Sequence, residues 1–309
     1  MSDEIALHTE GLTKHYGDVK ALVDLNLDVR PGEVFGFLGP NGAGKTTMIR
    51  TAMDEIRPTS GHASILGMDC HAQSVEIRRH VGYLPSDLAL YPNLTGKDTI
   101  TYFANLRGGV DWGYVGELAD RLGAEMDKKV GDLSSGNRQK VGVIQAFMNR
   151  PRLLIMDEPS NGLDPLVQRE FQMMMREVVA QGASVFLSSH TLSEVQRVAD
   201  RVGIIRHGHL IARESVSSLR AKGMRRVELE LGSPAEATVF ETVPGVREVL
   251  VEDHRVQLSY EGKMDALLKT VAERYDVIDI STQEADLEEI FLAYYHDERN
   301  GSTAEAVTI

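Results

Sequence analysis

The sequence predicts an α/β core that carries an antiparallel β subdomain and a helical insertion, with a small α+β domain of ferredoxin-like order behind it. Three observations predict this. Two continuous apolar runs of strand length, 33–38 and 153–156, read as strands buried on both faces of a parallel sheet. The first runs directly into Gly39-Pro40-Asn41-Gly42-Ala43-Gly44-Lys45-Thr46-Thr47 and then into apolar residues at helical spacing. From Arg225 the pattern changes to short alternating runs in the order βαββαβ.

The strand-loop-helix unit fits the phosphate-binding pattern G-x-x-x-x-G-K-[ST]. Glycines let such a loop turn its backbone N–H groups toward a polyphosphate, and the helix start adds a favourable dipole. Gly39, Asn41, Gly42, Ala43, Gly44, Lys45, Thr46 and Thr47 are therefore candidate nucleotide-binding residues. Lys45 is expected to reach the β- and γ-phosphates, and Thr46 to hold Mg²⁺ through its hydroxyl.

Before the loop, the runs 5–17 and 22–29 alternate at period two, as half-buried antiparallel strands do, and Pro31-Gly32 marks a turn. Tyr16 has two readings: a strand aromatic, or a platform on which an adenine ring stacks. After the loop come a short strand at 63–66, a helix at 74–80 and the stretch Val81-Gly82-Tyr83-Leu84-Pro85-Ser86-Asp87. A capping box at Thr95 and Asp98 opens a helix carrying Ile100, Phe103 and Leu106. A second helix is expected to hold Val115, Leu118, Leu122 and Met126, and a third follows its N-cap Ser134. Together these form a helical insertion at about 88–148.

The run 153–156 ends in Asp157-Glu158. Ligands of open α/β sheets bind at the carboxyl ends of strands, which places both carboxylates beside the phosphate loop. Asp157 suits the Mg²⁺ shell through water, and Glu158 suits a general base for an attacking water. A helix through Phe171, Met174 and Val178 follows, and then another apolar strand ending at His190. A lone histidine is usually structural, but at the end of a core strand His190 becomes a candidate γ-phosphate contact. A hairpin turning at His207-Gly208-His209 ends this domain, and those histidines read as exposed turn residues.

The expected domains are 1–222 and 223–299, with a disordered tail at 300–309. In the second domain Ser233 is read as the cap of a short helix, and Leu287, Ile290, Phe291 and Tyr294 as one face of a last amphipathic helix. No residue set there carries recognisable chemistry, which favours packing or dimerisation.

Composition bounds the class. The 309 residues carry a net charge of −13, and from Arg225 onward 19 acidic residues face 8 basic ones. Nucleic-acid binding usually needs a basic face, so no nucleic-acid partner is expected. No stretch approaches the ~20 apolar residues of a membrane helix, and the acidic start differs from a signal peptide. A cytoplasmic location is expected. Cys70 is the only cysteine, so an intrachain disulfide and a cysteine metal cluster are excluded.

The ordered motifs, spanning residue 5 to about 220, resemble the ATP-binding subunit of an ATP-binding-cassette (ABC) transporter. The set comprises Tyr16, the Walker A loop, the signature-like Leu133-Ser134-Ser135-Gly136-Asn137, Asp157-Glu158, Gly162-Leu163-Asp164 and His190. The resemblance implies a Mg²⁺-dependent ATPase that forms a head-to-tail homodimer with two ATP molecules sandwiched in it. Ser134 and Gly136 would then contact the γ-phosphate held by the other copy. It also implies a membrane permease partner, with this subunit peripheral on the cytoplasmic face of the cell membrane. Gly82-Tyr83-Leu84-Pro85 followed by Tyr91-Pro92-Asn93-Leu94-Thr95, with an extra domain behind, resembles the type-2 exporter branch for drugs, lipids or polysaccharides.

Two departures stand out. The usual signature is Leu-Ser-Gly-Gly-Gln, and the glutamine usual after the Tyr-Leu-Pro stretch is Ser86, which leaves Ser86 able to reach a metal only through water. Rival readings are a soluble ABC ATPase of translation or DNA maintenance, and a regulatory subunit that hydrolyses slowly. The single cassette and the absence of long coiled coils oppose the first; Glu158 and His190 oppose the second.

Overall fold

The computed structural model describes residues 5–222, 225–262 and 264–283. The chain divides into two compact units between Arg213 and Glu214.

The first unit opens with β1 (Leu7–Tyr16) and β2 (Val19–Val29), an antiparallel pair, as the alternating pattern predicts. Next come β3 (Val34–Leu38), the phosphate loop and α1 (Lys45–Ala52). β4 (Ser60–Ile65) returns to pair with β1, and the short β5 (Met68–Asp69) pairs with β4. This gives a four-stranded antiparallel sheet in the order β2-β1-β4-β5.

After α2 (Ser74–His80) and β6 (Val81–Leu84), the insertion runs through α3 (Gly96–Leu106), α4 (Trp112–Leu122) and α5 (Ser135–Phe147). The chain then alternates through β7 (Leu153–Asp157), α6 (Pro165–Ala180), β8 (Ser184–Ser189), α7 (Leu192–Val198), β9 (Arg201–Arg206) and β10 (His209–Ser215). The six-stranded sheet has the order β10-β9-β3-β8-β7-β6. Its pairs β9–β3, β3–β8, β8–β7 and β7–β6 are parallel. Every residue of β3, β7 and β8 is buried, which is why these strands carry continuous apolar stretches instead of alternating. Phe35 and Phe186 stack at 6.0 Å between ring centroids across β3 and β8.

Local chemistry starts and stops the insertion helices. Thr95 and Asp98 form the reciprocal capping box, with the Asp98 N–H donating to Thr95 Oγ1 at 3.0 Å. α4 ends at Gly123 in the left-handed conformation, so Met126, expected to continue that helix, lies beyond it. Leu106, apolar at helical spacing, is 67% exposed at the last turn of α3, whereas Ile100 is fully buried. Phe147 of α5 meets Phe171 of α6 edge-on at 6.1 Å and ties the insertion to the sheet layer. In the Met173-Met174-Met175 run, Met174 and Met175 are core and Met173 is exposed.

The second unit begins with α8 (Val216–Lys222) and continues with β11 (Arg225–Leu231), α9 (Ala237–Glu241), β12 (Val246–Glu252), β13 (Arg255–Tyr260), α10 (Asp265–Arg274) and β14 (Val277–Gln283). Its sheet has the order β12-β13-β11-β14, with each neighbouring pair antiparallel. One face packs Val227, Leu229, Phe240, Leu258, Leu267 and Val271 into a separate core. Ser233 does not cap α9. The chain stays extended there because the Ala235 N–H donates to Asp253 O at 2.9 Å, and the cap position falls to Glu236. The expected last helix at Leu287–Tyr294 and the expected disordered tail lie outside the described residues.

Candidate nucleotide site

The parallel register brings the carboxyl ends of β3, β7 and β8 together: Leu38 pairs with Ser189, and Asp157 with Ser188. The phosphate loop leaves β3 at this edge. The Gly39 N–H donates to Ser189 O at 3.2 Å, and the Ala43 N–H to Pro40 O at 3.1 Å. α1 starts from Gly44, whose φ is 113° and which has no side-chain cap. A side chain at Gly44 would be strained by that φ and would lie 2.4 Å from Ala21 O, so glycine is required there.

Lys45 is buried, 5% exposed. Its Nζ donates to Gly39 O at 2.6 Å and Pro40 O at 3.2 Å, and lies 3.2 Å from Glu158 Oε1 as an ion pair without hydrogen-bond geometry. Thr46 Oγ1 donates to Asp157 Oδ2 at 2.7 Å. Glu158 adopts φ +51°, a conformation sparsely populated by residues with side chains. It directs Oε2 to His190 Nδ1 at 2.7 Å. Asp157, Glu158, His190, Lys45 and Thr46 thus form one connected group, as the motif spacing predicted. Asn41, Gly42 and Thr47 lie in the same loop and first helical turn.

The other expected residues make contacts of their own. Ser134 caps α5 by accepting the Asn137 N–H at 3.2 Å. Asn137 in turn accepts the Glu125 N–H at 3.3 Å and donates to Glu125 Oε1 at 3.2 Å, a two-point brace that settles which way its amide faces. Gly136 packs on the turn after β7: a Cβ there would lie 2.5 Å from Gly162 O. The geometry thus joins Ser134 and Gly136 to α5 and to that turn. Tyr16 ends β1 with 47% exposure, and Lys14 Nζ sits 5.0 Å from its ring centroid. Ser86 is exposed in the loop after β6. Among the described residues no cluster of three His, Cys, Asp or Glu side chains could hold a metal by itself.

Two contributors escaped the sequence reading. The hairpin turn at His207-Gly208-His209 braces the loop, because the Gly208 N–H donates to Ala43 O at 2.9 Å. Ser188 is fully buried between the two carboxylate residues. Its signal was present as a serine at the carboxyl end of an apolar strand core, two residues before the histidine.

Comparisons with known proteins agree with the geometry. The ABC transporter family model matches residues 22–161. The bacitracin transport ATP-binding protein BcrA of Bacillus licheniformis is 33% identical over 295 residues, covering 93% of this chain and 96% of that protein. The daunorubicin resistance ATP-binding protein DrrA3 of Streptomyces coeruleorubidus is 30% identical over 313 residues, covering 96% and 98%. The solved structure of an ATP-binding subunit of an ABC transporter superposes with a TM-score of 0.64 at 30% identity, over 70% of this chain and 92% of that one. The dimeric post-hydrolysis ATP-binding cassette MJ0796, bound to ADP and Pi, shares the fold with a TM-score of 0.62 at 22% identity, over 68% of this chain and 98% of that one. On the match to BcrA and DrrA3 along nearly their whole length, the chain belongs to the family of ABC transporter ATP-binding proteins.

Proposed function

We propose that this ABC ATPase subunit binds and hydrolyses ATP with Mg²⁺ to power export through a separate membrane permease. The observation that carries the mechanism is the convergence of Lys45, Thr46, Asp157, Glu158 and His190 at one sheet edge. The loop N–H groups from Gly39 to Thr47 would cradle the phosphates, with Lys45 exchanging its carbonyl and Glu158 partners for phosphate oxygens. Glu158 accepts a proton from the attacking water, and His190, bonded to Oε2, orients that carboxylate and faces the γ-phosphate. Thr46 would hold Mg²⁺, with Asp157 and Ser86 reaching it through water. The Thr46–Asp157 bond fits that arrangement, since it aims one hydroxyl and one carboxylate at the same point. Bound there, the ion would supply neutralisation of phosphate charge. Tyr16, exposed one strand upstream, offers its ring to adenine.

Ser134 and Gly136 are proposed to act on the ATP of a second copy, which makes the working unit a head-to-tail dimer. Support comes from the dimeric cassette that shares the fold. Export is supported by BcrA and DrrA3, named for bacitracin transport and daunorubicin resistance. A position on the cytoplasmic face of the membrane follows from the permease partner. Among the described residues no helix is long and apolar enough to cross a membrane. We read 1–222, with its insertion at about 88–148, as the ATP-binding domain. We read 223–299 as a ferredoxin-like accessory domain, supported by its antiparallel order β12-β13-β11-β14. Aromatic residues Tyr91 and Tyr102, 5.4 Å apart and exposed on the insertion, are the proposed permease contact.

Glu158→Gln tests the reading. Loss of a general base costs about 10²–10⁴-fold in turnover. Binding should survive, and the neutral side chain should let an ATP-bound dimer accumulate on size-exclusion chromatography. A variant that stays monomeric and turns over at the parental rate contradicts the proposal.

A further inference from the structure

Ser188 is the fifth residue of β8, fully buried, and pairs in register with Asp157 on one side and Phe37 on the other. Its hydroxyl donates to Asp157 Oδ1 and accepts the Glu158 N–H at 3.1 Å. The same N–H also approaches Ser188 O at 3.2 Å. The other carboxylate oxygen of Asp157 is taken by Thr46. One uninterrupted chain therefore runs from Thr46 through Asp157 and Ser188 to the backbone of Glu158. Glu158 needs such a hold. Its φ of +51° is a conformation that costs about 1–3 kcal/mol and persists only when neighbours impose it. A serine that merely filled space in this strand would bring a buried hydroxyl needing partners; here both its donor and its acceptor capacity go to the two consecutive carboxylate residues.

We propose that Ser188 is a positioning residue for hydrolysis: its hydroxyl sets the plane of the Asp157 carboxylate and holds the Glu158 backbone in its left-handed conformation, so that one group aligns the metal-side carboxylate with the base. The proposal rests on the ATPase reading of this site.

The test uses the full chain carrying Ser188→Ala, Ser188→Thr, which retains the hydroxyl, and Ser188→Ala combined with Glu158→Gln. Binding of a fluorescent ATP analogue is titrated with Mg²⁺. Ser188→Ala should bind the analogue in EDTA within about twofold of the parent, while its Mg²⁺ midpoint rises about threefold or more and Ser188→Thr restores it. Turnover of Ser188→Ala should fall about tenfold or more with KM for ATP within about threefold. In the Glu158→Gln background the same change should cost less than about twofold, because no base remains to be misplaced. A Mg²⁺ midpoint and a turnover both at parental values overturn the proposal. So does an equal loss in both backgrounds accompanied by a lower melting temperature, the behaviour of a packing residue. The Mg²⁺ midpoint is read from binding, so it reports on Ser188 even if the chain does not hydrolyse ATP, and failure of the ATPase reading is then a separate result.

Discussion

Two helices of the first unit start at loops rich in small residues, and they start in opposite ways. α1 follows Gly44 and has no side-chain cap; α5 follows Ser134, whose own hydroxyl accepts the Asn137 N–H. A serine cap is worth about 1 kcal/mol to a helix, and α1 forgoes it. Its first-turn donors therefore have no side-chain cap, which suits the proposed phosphate, and Lys45 in that turn bonds the loop carbonyls beside them. At α5 the donor is satisfied internally, and Ser134 Oγ takes the Asn137 N–H and, at 3.4 Å, the Asn137 side-chain amide. Both contacts use Ser134 Oγ as acceptor, which leaves its O–H free to donate. In the proposed function, the uncapped start would take phosphate into its own chain, and the capped start would present a single hydroxyl to a second copy.

Substitutions at the two starts separate these roles. The largest effect belongs to α1. Lys45→Ala removes a preorganised donor and should lower ATP turnover by about 10²–10³-fold together with nucleotide affinity. Normal binding and hydrolysis in that variant would sink the comparison at its first half.

Ser134→Ala comes next. A hydrogen bond to a charged group is worth about 1.5–3 kcal/mol, so turnover should fall about 10- to 150-fold. Nucleotide affinity of the monomer should stay at the parental value, while the ATP-dependent dimer of Glu158→Gln weakens. Loss of monomer binding would place Ser134 on its own chain's nucleotide instead.

Ser86 belongs to neither start, and its proposed role is through water. Ser86→Ala should change the ATPase rate by less than tenfold, or about 1.4 kcal/mol of barrier. A rate measured against Mg²⁺ concentration decides this. Inactivation as complete as that of Glu158→Gln would make Ser86 a direct participant.

The smallest effect concerns how the insertion is held to the core. Arg121 of α4 donates to Glu170 and, at 2.6 and 2.8 Å, to Glu177 of α6. The Arg121 hydrogen bond, outweighing burial and aided by the charge attraction, holds the Glu177 carboxyl below the usual carboxylate range. A depressed carboxylate contributes stability above its unfolded value and loses it as pH falls through its folded one. Glu177 is half exposed, so solvent screening limits the network to about 1 kcal/mol. Arg121→Met should lower stability by that amount at pH 7 and flatten the loss of melting temperature between about pH 5 and pH 3. An unchanged acid slope would show that the pair contributes nothing measurable.

Much of this site was legible before any coordinates. Gly39 to Thr47, Asp157-Glu158 and His190 lie at the ends of apolar runs, and a run buried on both faces can only be a central strand whose end borders a ligand site. Thr95 and Ser134 announced their helices because capping depends on three or four consecutive residues. Such features are local or periodic, and the sequence by itself determined them.

Tertiary structure decided what depends on pairs distant in the chain. Ser188 acquires its meaning only when the β7–β8 register sets it beside Asp157, 31 positions away. Gly208 braces the phosphate loop through one bond to Ala43, which no pattern within the hairpin encodes. The misplaced cap at Ser233 has the same origin: a backbone bond from Ala235 to Asp253 overrode a sound local signal. Leu106 and Met126 were apolar at helical spacing, yet one faces solvent and the other lies past a glycine stop. Periodicity reports which face of a helix could be buried; whether a neighbour arrives to bury it is settled by packing across the whole unit.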